Sequence, residues 1–435
     1  MDTDTDEVEK HAYDVREATD TVLLDFDNLM HEIYAHGEGA STEERESSIC
    51  LAIYHLGILA SPETTMGTFL PSAAQFVEAS ELGNGNHGVV TKARDTATGE
   101  TVALKTLHPK PLYYAEDDED ALSPTHRVLR EACFMAACRG HPSLVNLSAI
   151  AEVPDSTITG SKYCLVMEHV GPRLCDVLYH QRGCKPFAER EVRRIMRQVL
   201  SGAMAMHQRR IVHRGINVTN VLVGDGGDVK IGGYGVATSW SELDFPFAGV
   251  LSHLAPEYLA DGTSDKEGLD LWSMGCLMLE LLTGHEQFAV ESGSGGDTLQ
   301  KIEDVLGFTD KEIMESVEKP VGIELSTEVQ RYRVQWRGKS RLRDLVPSQV
   351  LSDEGFRVLQ GLLMYCTKGR IRAEDALKLP WFTRNTDDSA PPVSVSSWVC
   401  VGDDSAHPAV SVSARVCIVA LALLFLVFAF LIGRS

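Results

Sequence analysis

The sequence predicts an α+β fold, with strand-rich runs preceding helical ones. Three observations carry this. From Phe76 the apolar pattern is that of strands broken by glycine turns, and residues 163–170 are a buried-strand run. Further on, Val192, Ile195, Met196, Val199, Leu200, Ala203 and Met206 recur at helical spacing, and residues 270–282 are apolar all round, as in a buried helix. Finally, 435 residues leave room for one large domain of about 250–300 residues with flanking segments.

The formal net charge of −22 argues against sequence-independent binding to nucleic-acid phosphate, so nucleic acid is not an expected partner. Residues 1–50 supply most of it, with 15 Asp/Glu against three Lys/Arg, so the bias belongs to an appended segment. The start, Met1-Asp2-Thr3-Asp4, has neither basic residues nor an apolar run, and no secretory signal is expected. The ten cysteines lack zinc-like pairing, and Cys133, Cys138, Cys164 and Cys276 sit in apolar surroundings, which reads as reduced core thiols.

Residues 1–75 form the acidic extension. Within it, Val22, Leu23, Phe26, Leu29, Met30, Ile33 and Tyr34, then Ile49, Ala52, Ile53 and Leu56, predict two amphipathic helices separated at Gly37-Glu38-Gly39. They read as a hairpin packed on the main domain, as a partner-docking module, or as a disordered segment.

The main domain is expected over residues 76–382, and its motifs come in a fixed order. Residues 81–90 place Gly83, Gly85 and Gly88 in G-x-G-x-x-G spacing, which lets a hairpin backbone approach phosphates closely; alone it is a weak signal. Val102-Ala103-Leu104-Lys105 follows, then Glu131 ahead of a helical run. Next come Ile211-Val212-His213-Arg214-Gly215-Ile216-Asn217-Val218-Thr219-Asn220 and Gly233-Tyr234-Gly235. Ala255-Pro256-Glu257, Asp270-Leu271-Trp272-Ser273-Met274-Gly275, Arg370 and Trp381-Phe382 complete the series.

In this order the motifs resemble the eukaryotic protein kinases, over roughly residues 76–382. Within that superfamily they look most like the cyclin-dependent-kinase-like branch, especially its plant F-type members. The runs Arg130-Glu131-Ala132-Cys133, Arg139-Gly140-His141-Pro142 and Arg193-Arg194-Ile195-Met196-Arg197-Gln198 carry that narrower likeness. The resemblance implies a bilobal kinase-like fold with ATP in the cleft. Gly83, Gly85, Gly88, Val90, Ala103, Lys105, Glu131, Met167, Glu168, Val170, Asn220 and Leu222 would bind the nucleotide. In that scheme Lys105 neutralises phosphate charge and is held by Glu131, while Met167 guards the pocket. Backbone groups of Glu168 and Val170 pair with adenine, and Leu222 is the floor. Arg370 would pair with Glu257.

Two glycines depart from the pattern. Gly215 stands where the aspartate of H-R-D-x-x-x-x-N would accept a substrate proton, and Gly233 where the aspartate of D-F-G would hold Mg²⁺. Asn217 replaces a lysine, and Phe245, Val250 and Leu254 replace residues of the activation segment. Asp225 and Asp228 lie on a turn expected to point away from the metal site. Asn220 is left as a weak metal ligand. The expectation is therefore a pseudokinase, a scaffold or allosteric partner of an unidentified protein, that binds ATP with Mg²⁺ weak or dispensable. The alternative is a serine/threonine kinase of low residual activity. The pattern P-S-T-A-I-R-E is poorly kept in residues 124–131, which counts against cyclin binding.

Residues 383–415 read as a Ser/Asp/Pro-rich linker. Residues 416–432 are 17 uninterrupted apolar residues between Arg415 and Arg434, a helix about 26 Å long. This predicts a single-pass tail anchor with the main domain in the cytosol; a buried helix or an unusual splice product are the other readings.

Overall fold

The computed structural model of the chain describes residues 72–109, 124–153, 163–240, 249–261, 266–307 and 340–384. The expected helices of residues 20–60, nearly all of the linker and the apolar run 416–432 lie outside them. Among the described residues no helix is long and apolar enough to cross a membrane.

The small lobe is a five-stranded antiparallel sheet in the order β1-β2-β3-β5-β4. Its strands are β1 (Phe76–Gly85), β2 (Gly88–Asp95), β3 (Thr101–Leu107), β4 (Leu147–Glu152) and β5 (Tyr163–Glu168). Helix α1 (Pro124–Ala137) packs on the sheet through Val128, Leu129, Ala132 and Met135, all buried. Their i, i+1, i+4, i+7 spacing turns one stripe inward. A second small cluster, among it Phe76, Ala93, Val102 and Val166, fills the opposite face of the sheet.

The large lobe is built on α2 (Glu189–His207) and α4 (Lys266–Thr283). The stripe read in the sequence is the buried face of α2, where Val192, Ile195, Met196, Val199, Leu200, Ala203 and Met206 are all enclosed. Its start is a capping arrangement, the Glu191 carboxylate accepting the Ala188 N–H at 2.7 Å. Helix α4 is buried from Glu267 to Leu282, so it is the axis of the lobe, as its all-round apolar sequence predicts. Helices α3 (Pro256–Asp261), α5 (Gly295–Leu306) and α6 (Asp353–Leu362) surround it.

Two joints hold the large lobe. The Arg370 guanidinium bonds both Glu257 carboxylate oxygens, at 2.8 and 3.0 Å, and donates to Gly268 O at 2.6 Å. A planar fork against a carboxylate is the strongest geometry such a pair has. This is the pairing the sequence implied. The second joint is Asp270, fully buried at the start of α4, whose carboxylate accepts the backbone N–H groups of His213 and Arg214 at 2.8 and 2.7 Å. It thereby fixes the loop carrying Gly215.

Candidate nucleotide cleft

Residues of both lobes meet between the sheet and the short strands β6 (Ile211–Val212), β7 (Val221–Val223), β8 (Val229–Ile231) and β9 (Thr238–Ser239). In register, Ala103 faces Met167 and Val102 faces Glu168 across β3 and β5, and Val90 faces Lys105 across β2 and β3. Ala103 and Met167 belong to the main apolar core, and Leu82, Val90, Val170 and Leu222 pack on it while partly open. These six residues thus belong to or pack on one continuous apolar core.

Lys105 Nζ lies 2.6 and 2.7 Å from the two carboxylate oxygens of Glu131, and both side chains are buried. The pair fixes α1 against the sheet. Buried charges persist only when paired this closely.

The nucleotide loop is the tight hairpin between β1 and β2, with Gly85 opposite Gly88 and Asn86-His87 at its tip. The three glycines do different work there. A Cβ at Gly88 would lie 2.2 Å from Thr106 O, so the glycine is required by the approach of β3. A Cβ at Gly85 would meet nothing within 4 Å, and one at Gly83 would face the Arg173 guanidinium at 3.2 Å. Of the three, Gly85 alone lines open space.

Below the loop, Asn220 Nδ2 donates to Gly215 O at 2.8 Å and the Gly232 N–H donates to Asn220 O at 2.8 Å. Asn220 therefore ties the Gly215 loop to the Gly233 loop. His213 is fully buried. Its Nδ1 accepts the Gly215 N–H at 3.2 Å, which places the ring proton on Nε2, donated to Gly232 O at 2.9 Å. Burial holds its pKa below the usual histidine range, against the raising influence of Asp270. Burial also works to raise the Asp270 carboxyl, but the hydrogen bond and charge of His207 and the contacts of His213 outweigh it and leave it below the ordinary range.

Tyr234 fills the aromatic position after Gly233. Its ring meets His213 edge-on, centroids 5.4 Å apart, and burial pushes the phenol far up in pKa. Its hydroxyl is buried with no hydrogen-bond partner, a cost accepted at a position where a ring closes the core.

Asn217 is turned back on its own loop, its Oδ1 accepting from Thr219 N at 2.8 Å and Thr219 Oγ1 at 2.5 Å. Asp225 and Asp228 are exposed on the β7–β8 turn, where Asp228 O accepts the Gly224 N–H at 2.8 Å and Asp225 acts on His169.

Magnesium seeks near-octahedral oxygen ligands, including one or two carboxylates. Here the side-chain donor between the two loops is the neutral amide oxygen of Asn220, and both oxygens of Glu131 lie on Lys105. Among the described residues no group of three or more His, Cys, Asp or Glu converges on a possible metal position. Between these two loops the described side chains thus offer Mg²⁺ a neutral amide oxygen in place of the usual carboxylate.

Sequence reasoning missed three contributors. The Glu168 side chain, not only its backbone, is engaged: Oε1 accepts from Lys230 Nζ at 2.7 Å, Asn146 N at 2.7 Å and Asn146 Nδ2 at 3.0 Å. Asp270 anchors the loop of Gly215. His87, whose only sequence signal was its place at the tip of the glycine loop, reaches down to Gly235.

The protein kinase domain family matches residues 76–382. The chain is 37% identical over 324 residues to the protein named "Putative cyclin-dependent kinase F-2" of Oryza sativa subsp. japonica, covering 73% of this chain and 93% of that one. It is 31% identical to cyclin-dependent kinase G1 of Arabidopsis thaliana, over 72% of this chain and 49% of the relative. To cyclin-dependent kinase 10 of Mus musculus it is 30% identical, over 74% and 83%. These names lend nothing to the expectation that a cyclin is not a partner. With the two-lobed fold, the Lys105–Glu131 pair and the ordered motifs, they lead to one statement: the chain belongs to the protein kinase family, on its cyclin-dependent-kinase-like branch.

Proposed function

We propose that this chain is a pseudokinase: a kinase fold that binds ATP and acts on a protein partner as scaffold or allosteric element. The observation that carries the reading is the absence of any side chain at Gly215 and Gly233, the positions of the proton-accepting and metal-holding carboxylates. Phosphoryl transfer is positioning plus charge neutralisation, so losing both groups removes most of the rate. What supports nucleotide binding is the Lys105–Glu131 pair beside Ala103, Met167, Val90, Val170 and Leu222, which belong to or pack on one apolar core. Binding is weak to moderate and needs Mg²⁺ little, because no carboxylate at position 233 repels phosphate. Thermal shift with ATP, with and without Mg²⁺, tests this: a shift under both conditions is expected, and none under either overturns it.

The second reading is a serine/threonine kinase with low residual phosphotransfer. The assembled Lys105–Glu131 and Arg370–Glu257 pairs favour it, as do relatives named as cyclin-dependent kinases. Phosphate incorporation into a protein acceptor, measured with radiolabelled ATP, separates the two. The relatives' names make a cyclin the first partner class to test. The run 416–432 supports tethering to a membrane with the kinase fold in the cytosol. Deleting residues 416–435 is expected to release the protein from carbonate-washed membranes, and unchanged partition overturns the anchor.

A further inference from the structure

We propose that His87 is the residue of the nucleotide loop that meets the phosphates of a bound nucleotide and, with Lys105, supplies the neutralising charge that a metal ion would otherwise bring. The inference rests on the nucleotide-binding reading above and names how that site selects a metal-free polyphosphate.

The loop tip is tethered over the cleft by three contacts. The His108 N–H donates to His87 O at 3.0 Å. The His108 ring nitrogen Nε2 lies 3.1 Å from Gly85 O and 3.2 Å from Asn84 Oδ1. Arg127, on α1, donates to His108 O and, at 3.0 Å, to Pro109 O. The tip is thus fastened to the strand that carries Lys105 and to the helix that carries Glu131.

From this tether the half-buried His87 ring points inward. Its Cγ and Nδ1 lie 3.2 and 3.3 Å from the point where a Cβ on Gly235 would stand, and Glu131 Oε2 lies 3.5 Å from the same point. The ring, the Lys105–Glu131 pair and the loop following Gly233 therefore converge beneath the glycine hairpin. A polyphosphate cradled by that hairpin would lie among these groups.

The charges at this place favour an anion. Facing His87 are Lys105 from β3, His108 just beyond it, and Arg127 and Glu131 from α1. Among the described residues Glu131 is the one acid of the set, and Lys105 already neutralises it. The glycines at 215 and 233 add no negative charge. With no phosphate between these groups, burial first and then the charges of Lys105, Arg127 and His108 push His87 down to about 3, so the ring is neutral at physiological pH. A triphosphate placed among them counters the charge part of that depression and favours the protonated ring as the ligand binds. Proton uptake on binding makes affinity rise as pH falls.

The test uses the full chain, purified in mild detergent, and measures dissociation constants for adenosine and for ATP in EDTA at pH 8 and pH 6. Wild type is compared with His87→Phe, which keeps an aromatic ring of similar bulk without a titratable nitrogen, and with His87→Arg, which restores a positive charge. Adenosine should bind all three alike. ATP should bind His87→Phe about tenfold or more weakly than wild type, with His87→Arg recovering most of the loss. The wild-type advantage over His87→Phe should grow several-fold between pH 8 and pH 6; titration of ATP itself is common to both and cancels. If His87→Phe binds ATP as tightly as wild type or tighter while adenosine is unchanged, the proposal falls and the nucleotide reading stands. If wild type binds neither ligand, both fall.

Discussion

Asn220 occupies the space that a side chain on Gly233 would need. A Cβ on Gly233 would lie 2.3 Å from Asn220 Oδ1 and 2.6 Å from its Cγ, and the residue sits in the left-handed region at φ 77°, ψ 53°. Gly215 is different. A Cβ there meets Asn220 Nδ2 and Val236 Cγ2 at 3.2 Å, contacts that a shift of a few tenths of an ångström relieves. Restoring the two carboxylates is therefore unequal. We expect Gly215→Asp to change stability by less than about 1 kcal/mol. Gly233→Asp should cost about 1–2 kcal/mol, because it holds a left-handed side-chain-bearing residue and turns the Asn220 amide off Gly215 O. Denaturant unfolding of each variant measures both. The double variant should gain Mg²⁺-dependent phosphotransfer, on the order of 10²-fold over wild type. Activity no higher than wild type would show that these two losses are not what limits the chain.

Lys105→Ala leaves Glu131 buried without its cation. Breaking such a pair from one side costs about 3–5 kcal/mol, enough to unfold a marginal domain. Loss of ATP binding in that variant would then report folding, not recognition. Lys105→Met with Glu131→Gln removes both charges and keeps their bulk, and should recover more than half of the lost stability. Chemical denaturation of the single and double variants decides it, and a double variant no more stable than Lys105→Ala contradicts the argument.

The framework was legible because it is written in residues close together or in strong types. The α2 stripe follows from spacing alone, and the pairings of Lys105 with Glu131 and of Arg370 with Glu257 follow from motif order. What escaped depends on residues far apart that carry no distinctive pattern. Lys230 reaches Glu168 across 62 positions, and Asp270 reaches the His213 N–H across 57. His87 faces Gly235 only because the hairpin tip is pinned by His108 and Arg127, and no local signal encodes that. Gly88 was legible as a glycine but not for its reason, which is the carbonyl of Thr106 rather than a phosphate.

Acid should destabilise the fold well above the carboxylate range. A histidine whose folded pKa lies below its unfolded value contributes stability that is full above about 6.5 and is lost as pH falls, because the unfolded chain takes the proton first. His87, held down to about 3, and His213, lowered by burial, act in the same direction. At pH 5.5 the His87 share alone amounts to about 1 kcal/mol. Asp270, held low, adds its loss further into acid, as pH falls through its folded value. Thermal unfolding from pH 7.5 to 5 should show a falling Tm, with a smaller fall in His87→Phe. An unchanged slope in that variant would show that the ring titrates freely in the folded chain.

The Glu168 carboxylate joins the end of β5 to β8 through Lys230 and to the segment before β4 through Asn146. The partners are not equivalent. Lys230→Met leaves Glu168 still accepting both Asn146 donors, so the cost should be about 1 kcal/mol or less, as for a partly exposed pair. Glu168→Ala strands the half-buried Asn146 N–H as well as the lysine, and a donor left unpaired there costs about 1 kcal/mol or more. Asn146 Oδ1 is already held by the Gly140 N–H at 2.8 Å, so its side chain cannot swing round to compensate. Glu168→Ala should therefore be the more damaging change, and adding Lys230→Met to it should cost almost nothing more. A double-mutant cycle on unfolding free energies measures this; additive costs would mean that Lys230 and Glu168 act independently, against the 2.7 Å contact between them.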